Sequence, residues 1–453
     1  MNAARVKLLS HASILIEADG KKILTDPWFF ASAFNDGWEL LPKPNLDDIK
    51  FNIKDVDIIW ISHEHPDHLH FPTLRWIAEF IEKDVEIYFQ ENNSSKVFES
   101  LKKLGYKKFV SMPHLSKISI TPNIDIACYA HRLLDSCLAV FVRNSFWLLN
   151  INDTALNQHD IAIIKKKFGT PTTLYNQFSI AGSNGIENHL KSDAESVLKK
   201  VREHHESLGA IVTIPFASFV RFARVDNAYM NVHANTVFDV KKLFKKKKLK
   251  AILQPFGDNY LEWNDINDVP SNWLEVDLLG KKFFKNKVES EPNDTHDYKT
   301  ISKDKVQEVV EERSGIWKKV TNQIVWKLLR LDSIYFQITD WNNEVWKLDC
   351  DKNLFFKASD TVDFDISIAS QPLWQAFKMP FGIQTLGVSG RYKLSKKFDY
   401  VPRKWKKIRI LSSLYNAEIY LSIVGIFSRE LLAWIWKRRQ GLISQIFQQL
   451  RRF

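Results

Sequence analysis

The segment Ser62-His63-Glu64-His65-Pro66-Asp67-His68 constrains this chain more than any other. It follows Val56-Asp57-Ile58-Ile59-Trp60-Ile61, an apolar run that reads as a mostly buried strand. Three imidazoles and two carboxylates therefore crowd into six residues just past a strand end. A loop that alternates in direction sends His63, His65 and Asp67 to one side. Imidazole mixed with carboxylate suits zinc, iron or manganese. A polar loop with chance histidines would not reach this density.

One loop cannot complete the coordination of two cations, so further ligands must come from other strand ends. Asp153 ends the apolar run Leu148-Leu149-Asn150-Ile151-Asn152, where a carboxylate can bridge two metals; a plain turn aspartate is the rival reading. His131 follows the strand Ile124 to Ala130 and offers a third source of ligation. His233, in Asn231-Val232-His233-Ala234-Asn235, is the candidate late ligand, with His189 behind it. Asp26, in Leu24-Thr25-Asp26-Pro27-Trp28, is expected behind the ligands, orienting an imidazole. His11 is placed there beside it, a packed or surface histidine being its alternative. The expected metal set is thus His63, His65, Asp67, His68, His131, Asp153 and His233, with Asp67 also the catalytic carboxylate. A metal pair about 3.5–4 Å apart would share a water and lower its pKa toward roughly 7. Hydrolysis of an ester, amide or phosphoester is one outcome. Iron held by the same groups could instead bind oxygen, and the ligand types do not separate the two.

Strand patterns at 6–9, 13–17, 21–25, 85–89, 117–121, 124–130, 138–142 and 146–151 interleave with helical patterns at 74–81, 94–104 and 191–208. Further strands are expected at 210–214 and 252–255. Two such blocks in succession predict a layered α/β sandwich over residues 1–285. The polar stretch Glu289-Ser290-Glu291-Pro292-Asn293-Asp294-Thr295 marks a linker, taken as 286–300. Residues 301–453 read as a smaller α+β accessory domain, for which a sterol-carrier-like module is one form. It opens with a helix carrying Val306, Val309, Val310, Trp317, Val320, Ile324 and Leu328, continues through strands at 334–338, 344–349 and 364–368, and ends in a basic amphipathic helix from Leu431 to Leu450.

Of the net charge of +11, about +9 falls in residues 401–453. The run Lys241 to Lys250 reads as a solvated helix end. No nucleic-acid partner is expected, because interleaved stacking aromatics are absent. The closing helix can rest on an anionic membrane or dock on its own domain. The apolar run Tyr420 to Phe427 is too short to span a bilayer. Three scattered cysteines, Cys128, Cys137 and Cys350, exclude a disulfide scaffold. With no charged-then-apolar leader pattern at the N-terminus, a cytoplasmic protein is expected, peripheral membrane contact through the closing helix being the alternative.

Asp26, His63-x-His65-x-Asp67-His68, His131 and Asp153, in that order, resemble the metallo-β-lactamase superfamily. The resemblance implies an αββα sandwich with a dinuclear site at one edge of its sheets. It implies one metal on His63, His65 and His131, another on Asp67 and His68, and Asp153 as the bridge. A narrower likeness is to the CMP-N-acetylneuraminate hydroxylases and their relatives. It rests on His11-Ala12-Ser13-Ile14-Leu15-Ile16-Glu17, Ile23-Leu24-Thr25-Asp26-Pro27-Trp28, Asn152-Asp153, Gln177-Phe178-Ser179 and Pro215-Phe216-Ala217-Ser218-Phe219. The Rieske module of those hydroxylases needs paired cysteine and histidine ligands, which this sequence lacks. The resemblance therefore implies a metal-dependent hydrolase holding two divalent ions, zinc first and iron as the alternative. It acts on a small-molecule or lipid-like substrate. The alternative is a dinuclear-iron oxygenase acting on a nucleotide sugar or similar metabolite, with electrons from a partner protein.

Overall fold

The computed structural model describes residues 4–81, 84–91, 96–131, 135–144, 146–264, 269–289, 294–319, 326–327, 332–359 and 361–416. The expected closing helix, the run at 420–427, and Val320, Ile324 and Leu328 lie outside these residues.

Two sheets face one another. The first runs β15 (Tyr260–Trp263), β1 (Ala4–Leu8), β2 (Ile14–Ala18), β3 (Lys21–Thr25), β5 (Ile58–Ile61), β6 (Glu86–Gln90), β7 (Lys108–Met112). The second runs β13 (Val212–Phe216), β12 (Thr173–Gln177), β11 (Phe146–Asn152), β10 (Asp135–Val142), β9 (Ile124–His131), β8 (Lys117–Thr121). A short pair, β14 (Val220–Phe222) with β4 (Trp38–Leu40), closes one end. Side chains alternate across a strand, and both faces of these strands are apolar. In β5, Ile58 and Trp60 join the core between the sheets, while Ile59 and Ile61 meet an outer layer. In β11, Phe146 and Leu148 point inward and Trp147, Leu149 and Ile151 outward. Helices Leu46–Ile53, Phe71–Phe80 and Lys96–Lys102 cover the first sheet through Ile49, Ile53, Leu74, Ile77, Val97 and Leu101. Helix Gln158–Phe168 covers the second through Ile161 and Ile164. The layers are therefore α, β, β, α.

The strand expected at 252–255 does not form. Ala251 makes one bridge to Thr213, and the chain then leaves the sheet at Pro255, which has no N–H to give. Helix Trp273–Phe283 presses on this stretch, and the turn after it buries Phe284 in the inter-sheet core. Residues 294–298 lie against the first unit through His296 N, which donates to Ala223 O at 2.9 Å.

The second unit is a five-stranded sheet ordered β18 (Leu354–Lys357), β17 (Glu344–Asp349), β16 (Ile334–Ile338), β19 (Ile366–Ile368), β20 (Lys393–Leu394). Helices Lys303–Lys319, Ser370–Lys378, Gly382–Ser389 and Arg403–Asn416 accompany it. Its core gathers Val306, Val310, Trp317, Phe336, Leu373 and Trp405. Polar contacts weld it to the first unit. Arg391 Nε meets both carboxylate oxygens of Asp226 at 3.0 Å, and its Nη1 reaches Asn35 O at 3.0 Å. Asn227 Nδ2 donates to Gly37 O and Ser389 O, and Trp38 Nε1 to Val388 O.

Gly280 tests the packing. A Cβ there would lie 1.7 Å from Leu253 O. Helix propensity alone makes Gly280→Ala stabilising by about 1 kcal/mol. The close approach reverses the sign, so the variant is expected to melt below the parent protein; a raised midpoint would refute the contact.

Candidate metal centre

The centre lies where strand ends from both sheets converge. The backbone turns left-handed at three of them: Asp26 after β3 (φ 36°), Asn152 ending β11 (φ 63°) and Ala217 after β13 (φ 48°). Aspartate and asparagine tolerate this region better than most residues. The turn aims Asp26 at its neighbours. Its Oδ1 accepts from Ser62 N at 2.7 Å, and its Oδ2 contacts His68 Nδ1 at 3.0 Å and accepts from Asn152 Nδ2 at 2.5 Å. Ser136 Oγ of β10 donates to Ser62 O at 2.6 Å, tying the histidine loop to the second sheet. His11, in the β1–β2 turn, is fixed by Ala217 N donating to its carbonyl at 2.9 Å and by Trp28 and Trp38 against its ring.

These supports leave His63 and His68 one ring nitrogen each for the centre. Ser62 Oγ lies 2.9 Å from His63 Nδ1, so Nε2 faces His65 Nδ1 at 2.8 Å. Asp26 holds His68 Nδ1, so its Nε2 faces Asp67 Oδ2 at 3.3 Å. His11 Nε2 is also 3.3 Å from Asp67 Oδ2. Asp153 Oδ2 stands 3.7 Å from both His63 Nε2 and His68 Nε2. Donor atoms about 2.1 Å from one metal at tetrahedral angles sit roughly 3.4 Å apart, and these separations are of that size. Three sets of donors come within 4.8 Å of one another: His11, Asp67 and His68; His63, His65 and Asp135; His63, His68 and Asp153. The first two make adjoining ligand sets, and Asp153 lies between them.

The donors fit a divalent cation. Asp67 Oδ1, Asp153 Oδ1 and His68 Nε2 are buried without a hydrogen-bond partner, and an orphaned buried carboxylate oxygen is costly. Burial pushes the His63 imidazole down to about 3, helped by His68 and His65, which keeps it neutral as a ligand must be. Burial also opposes charge on His68, yet Asp67, Asp153 and Asp26 together hold it well above the ordinary histidine value. Three carboxylates around one imidazole mark a negative excess that a cation would balance. Asp135 and Asp153 keep 26% and 18% of their side chains exposed, so the centre opens to solvent on that side.

His63, His65, Asp67, His68 and Asp153 come together, and Asp26 stands behind His68. Three positions differ from expectation. His11 is brought into a donor set, not left behind one. His131 does not join His63 and His65. It shares the outward face of β9 with Tyr129, and its Nε2 lies 3.4 Å from Asp160 Oδ2. Asp160, held down to about 2 despite its burial by His131, Asn157 N and Tyr129, anchors that ring. Asp135, across the ladder from His131, takes the place beside His63 and His65. Its only sequence signal is a position four residues past His131, across a hairpin. His233 ends the short helical turn Ala228–His233, and His189 hydrogen-bonds Asn184; neither belongs to a donor set. Trp28, Phe34 and Trp38 are core residues packed on the histidines.

Orienting partners alone are worth about 10–100-fold in metal affinity. Asp135→Ala should therefore weaken metal retention in chelator competition by at least that much, whereas His131→Ala should keep the metal and lower the melting midpoint. The reverse pattern would return the ligand role to His131. Asp26→Ala strands three buried donors at about 1–3 kcal/mol each; a midpoint within a degree or two of the parent would show that Asp26 does not hold these loops.

A family profile described as a β-lactamase superfamily domain matches residues 5–112. The cytidine monophosphate-N-acetylneuraminic acid hydroxylase of Danio rerio is 26% identical over 271 residues, 54% of this chain and 43% of that protein. The chain thus spans less than half the length of this curated relative. Igni18, a metallo hydrolase from Ignicoccus hospitalis, aligns at 15% identity and a TM-score of 0.41, covering 58% of this chain and 98% of that one. CmlA, a diiron β-hydroxylase from Streptomyces venezuelae, aligns at 14% and 0.37, covering 55% and 52%. The profile match spans the histidine loop and the first-sheet strands through β7, and over that stretch the chain is similar to the β-lactamase superfamily domain.

Proposed function

We propose that the chain is a divalent-metal hydrolase acting on a small or lipid-like molecule at a two-metal centre. The observation that carries this is Asp153 Oδ2, equidistant from His63 and His68 between two sets of two imidazoles and one carboxylate. His63, His65 and Asp135 would hold one ion, and His11, Asp67 and His68 the other, with Asp153 shared. A bound divalent ion supplies Lewis acidity and lowers the pKa of water toward roughly 7. The protein's part is to hold the donors rigidly. Ser62 fixes the His63 ring, Asp26 fixes His68, and the Trp28–Trp38 wall excludes water behind His11. Asp67, expected as the catalytic carboxylate, is better suited to ligation, since His11 and His68 both face its Oδ2.

A second reading, an iron-dependent oxygenase, is favoured by the donor types. Two imidazoles with one carboxylate is the set typical of non-haem iron oxygenases, and the curated relative reported above is named a hydroxylase. In that case electrons come from a partner protein. Zinc serves the first reading and iron the second.

Elemental analysis after reconstitution separates them. The hydrolase reading expects two zinc equivalents and turnover of ester, amide or phosphoester probes that a chelator abolishes and metal restores. Two irons with reductant-dependent oxygen uptake would move the assignment to the oxygenase. A chain that retains no metal after exposure to zinc, iron or manganese would end both.

A further inference from the structure

The lysine run at 241–250 plays no part in the metal centre, and the fold places it beside a second basic segment. Helices Val237–Lys246 and Trp273–Phe283 are bridged by Lys241 Nζ, 2.7 Å from Asp277 Oδ1. Both bury one side in the inter-sheet core, through Val237, Val240 and Phe244 on the first and Val276 on the second. Their outer sides carry exposed Lys242, Lys245 and Lys246, and exposed Lys281, Lys282 and Lys285, with more lysines following each helix. The second helix also exposes leucines: Leu274 by 61%, Leu278 by 63% and Leu279 by 38%. Leu274 and Leu278 are one turn apart and so share a face.

A single exposed leucine needs no explanation. Three within six residues, beside two lysine clusters, do. Nucleic acid would use the lysines but has no use for the leucines, and among the described residues of this face none is an exposed stacking aromatic. An anionic bilayer uses both: lysines meet the headgroup phosphates, and leucines enter the acyl boundary. We propose that this two-helix face docks the protein on an anionic phospholipid surface. The contact is peripheral, since no helix among the described residues is long and apolar enough to cross a membrane. It depends on residues remote in sequence from the metal ligands and stands whichever chemistry the centre performs.

Vesicle flotation of the full chain tests it. The protein should float with phosphatidylcholine vesicles containing phosphatidylserine, not with phosphatidylcholine alone, and less at high salt. Leu274→Ser with Leu278→Ser keeps the charge yet should lower partitioning at least about tenfold, from the apolar area lost. Lys282→Glu with Lys285→Glu, which leaves the Lys281–Asp277 pair in place, should lower it similarly. The basic residues after position 416 are common to every variant and cannot create a difference among them. No flotation of the parent chain, equal flotation of both variants, or loss on lysine reversal with none on leucine replacement would overturn the proposal. The last result would indicate a general polyanion contact.

Discussion

The carboxylate of Asp26 is the contact on which the centre stands. Fully buried, it would be expensive without partners. It receives Ser62 N from the end of β5, His68 from the histidine loop and Asn152 Nδ2 from the end of β11. Those donors belong to two facing sheets, so one side chain sets the spacing of the sheets at the edge where the ligands gather. It also sets a tautomer. With His68 Nδ1 turned to Asp26, only Nε2 can face Asp67 and Asp153. Backbone strain at Asp26 and Asn152 lies within this arrangement, in keeping with the concentration of unusual conformations at functional sites.

Much of the first unit was legible because burial on both faces writes apolar runs into its strands. Ile58-Ile59-Trp60-Ile61 reads as a strand, and its odd and even residues do serve different layers. Lys21–Thr25 and Lys117–Thr121 are bounded as their alternation implies. The histidine loop was legible for a different reason, since residue types that ligate metals are rarely so dense. Other features depend on geometry that spacing does not carry. His131 and Asp135 sit opposite each other on a ladder, His131 held by Asp160 of the helix Gln158–Phe168 and Asp135 lying near His63, a division of roles that spacing alone does not show. His11 looks ordinary in sequence, and only the return of Ala217 to its carbonyl brings it over Asp67. Helices Ser370–Lys378, Gly382–Ser389 and Arg403–Asn416 were missed, because short mixed segments show no clear period until the β16–β20 sheet supplies a surface to bury them.

The distribution of charge separates two tasks on one molecule. At the centre, Asp26, Asp67, Asp135 and Asp153 gather around the histidines, with Trp28 and Trp38 packed behind His11 and solvent reaching Asp135 and Asp153. On the helices at 237–246 and 273–283, lysines are left in solvent, while the one internal carboxylate between them, Asp277, is spent on Lys241 and Lys281. The first pattern concentrates field in a small, largely buried volume, and the second spreads it over an open face.

The weld between the units reaches the ligands themselves. Arg391 holds Asn35, and Ser389 and Val388 hold Asn227 and Trp38. Phe34 and Trp38 on that same loop lie against His65 and His11. A tilt of the five-stranded sheet would thus be transmitted to two imidazoles through a single aromatic loop. By thermodynamic reciprocity, any ion whose binding depends on those two imidazoles would in turn alter how firmly the sheet is seated. The second unit is, in that sense, a lever bearing on His65 and His11.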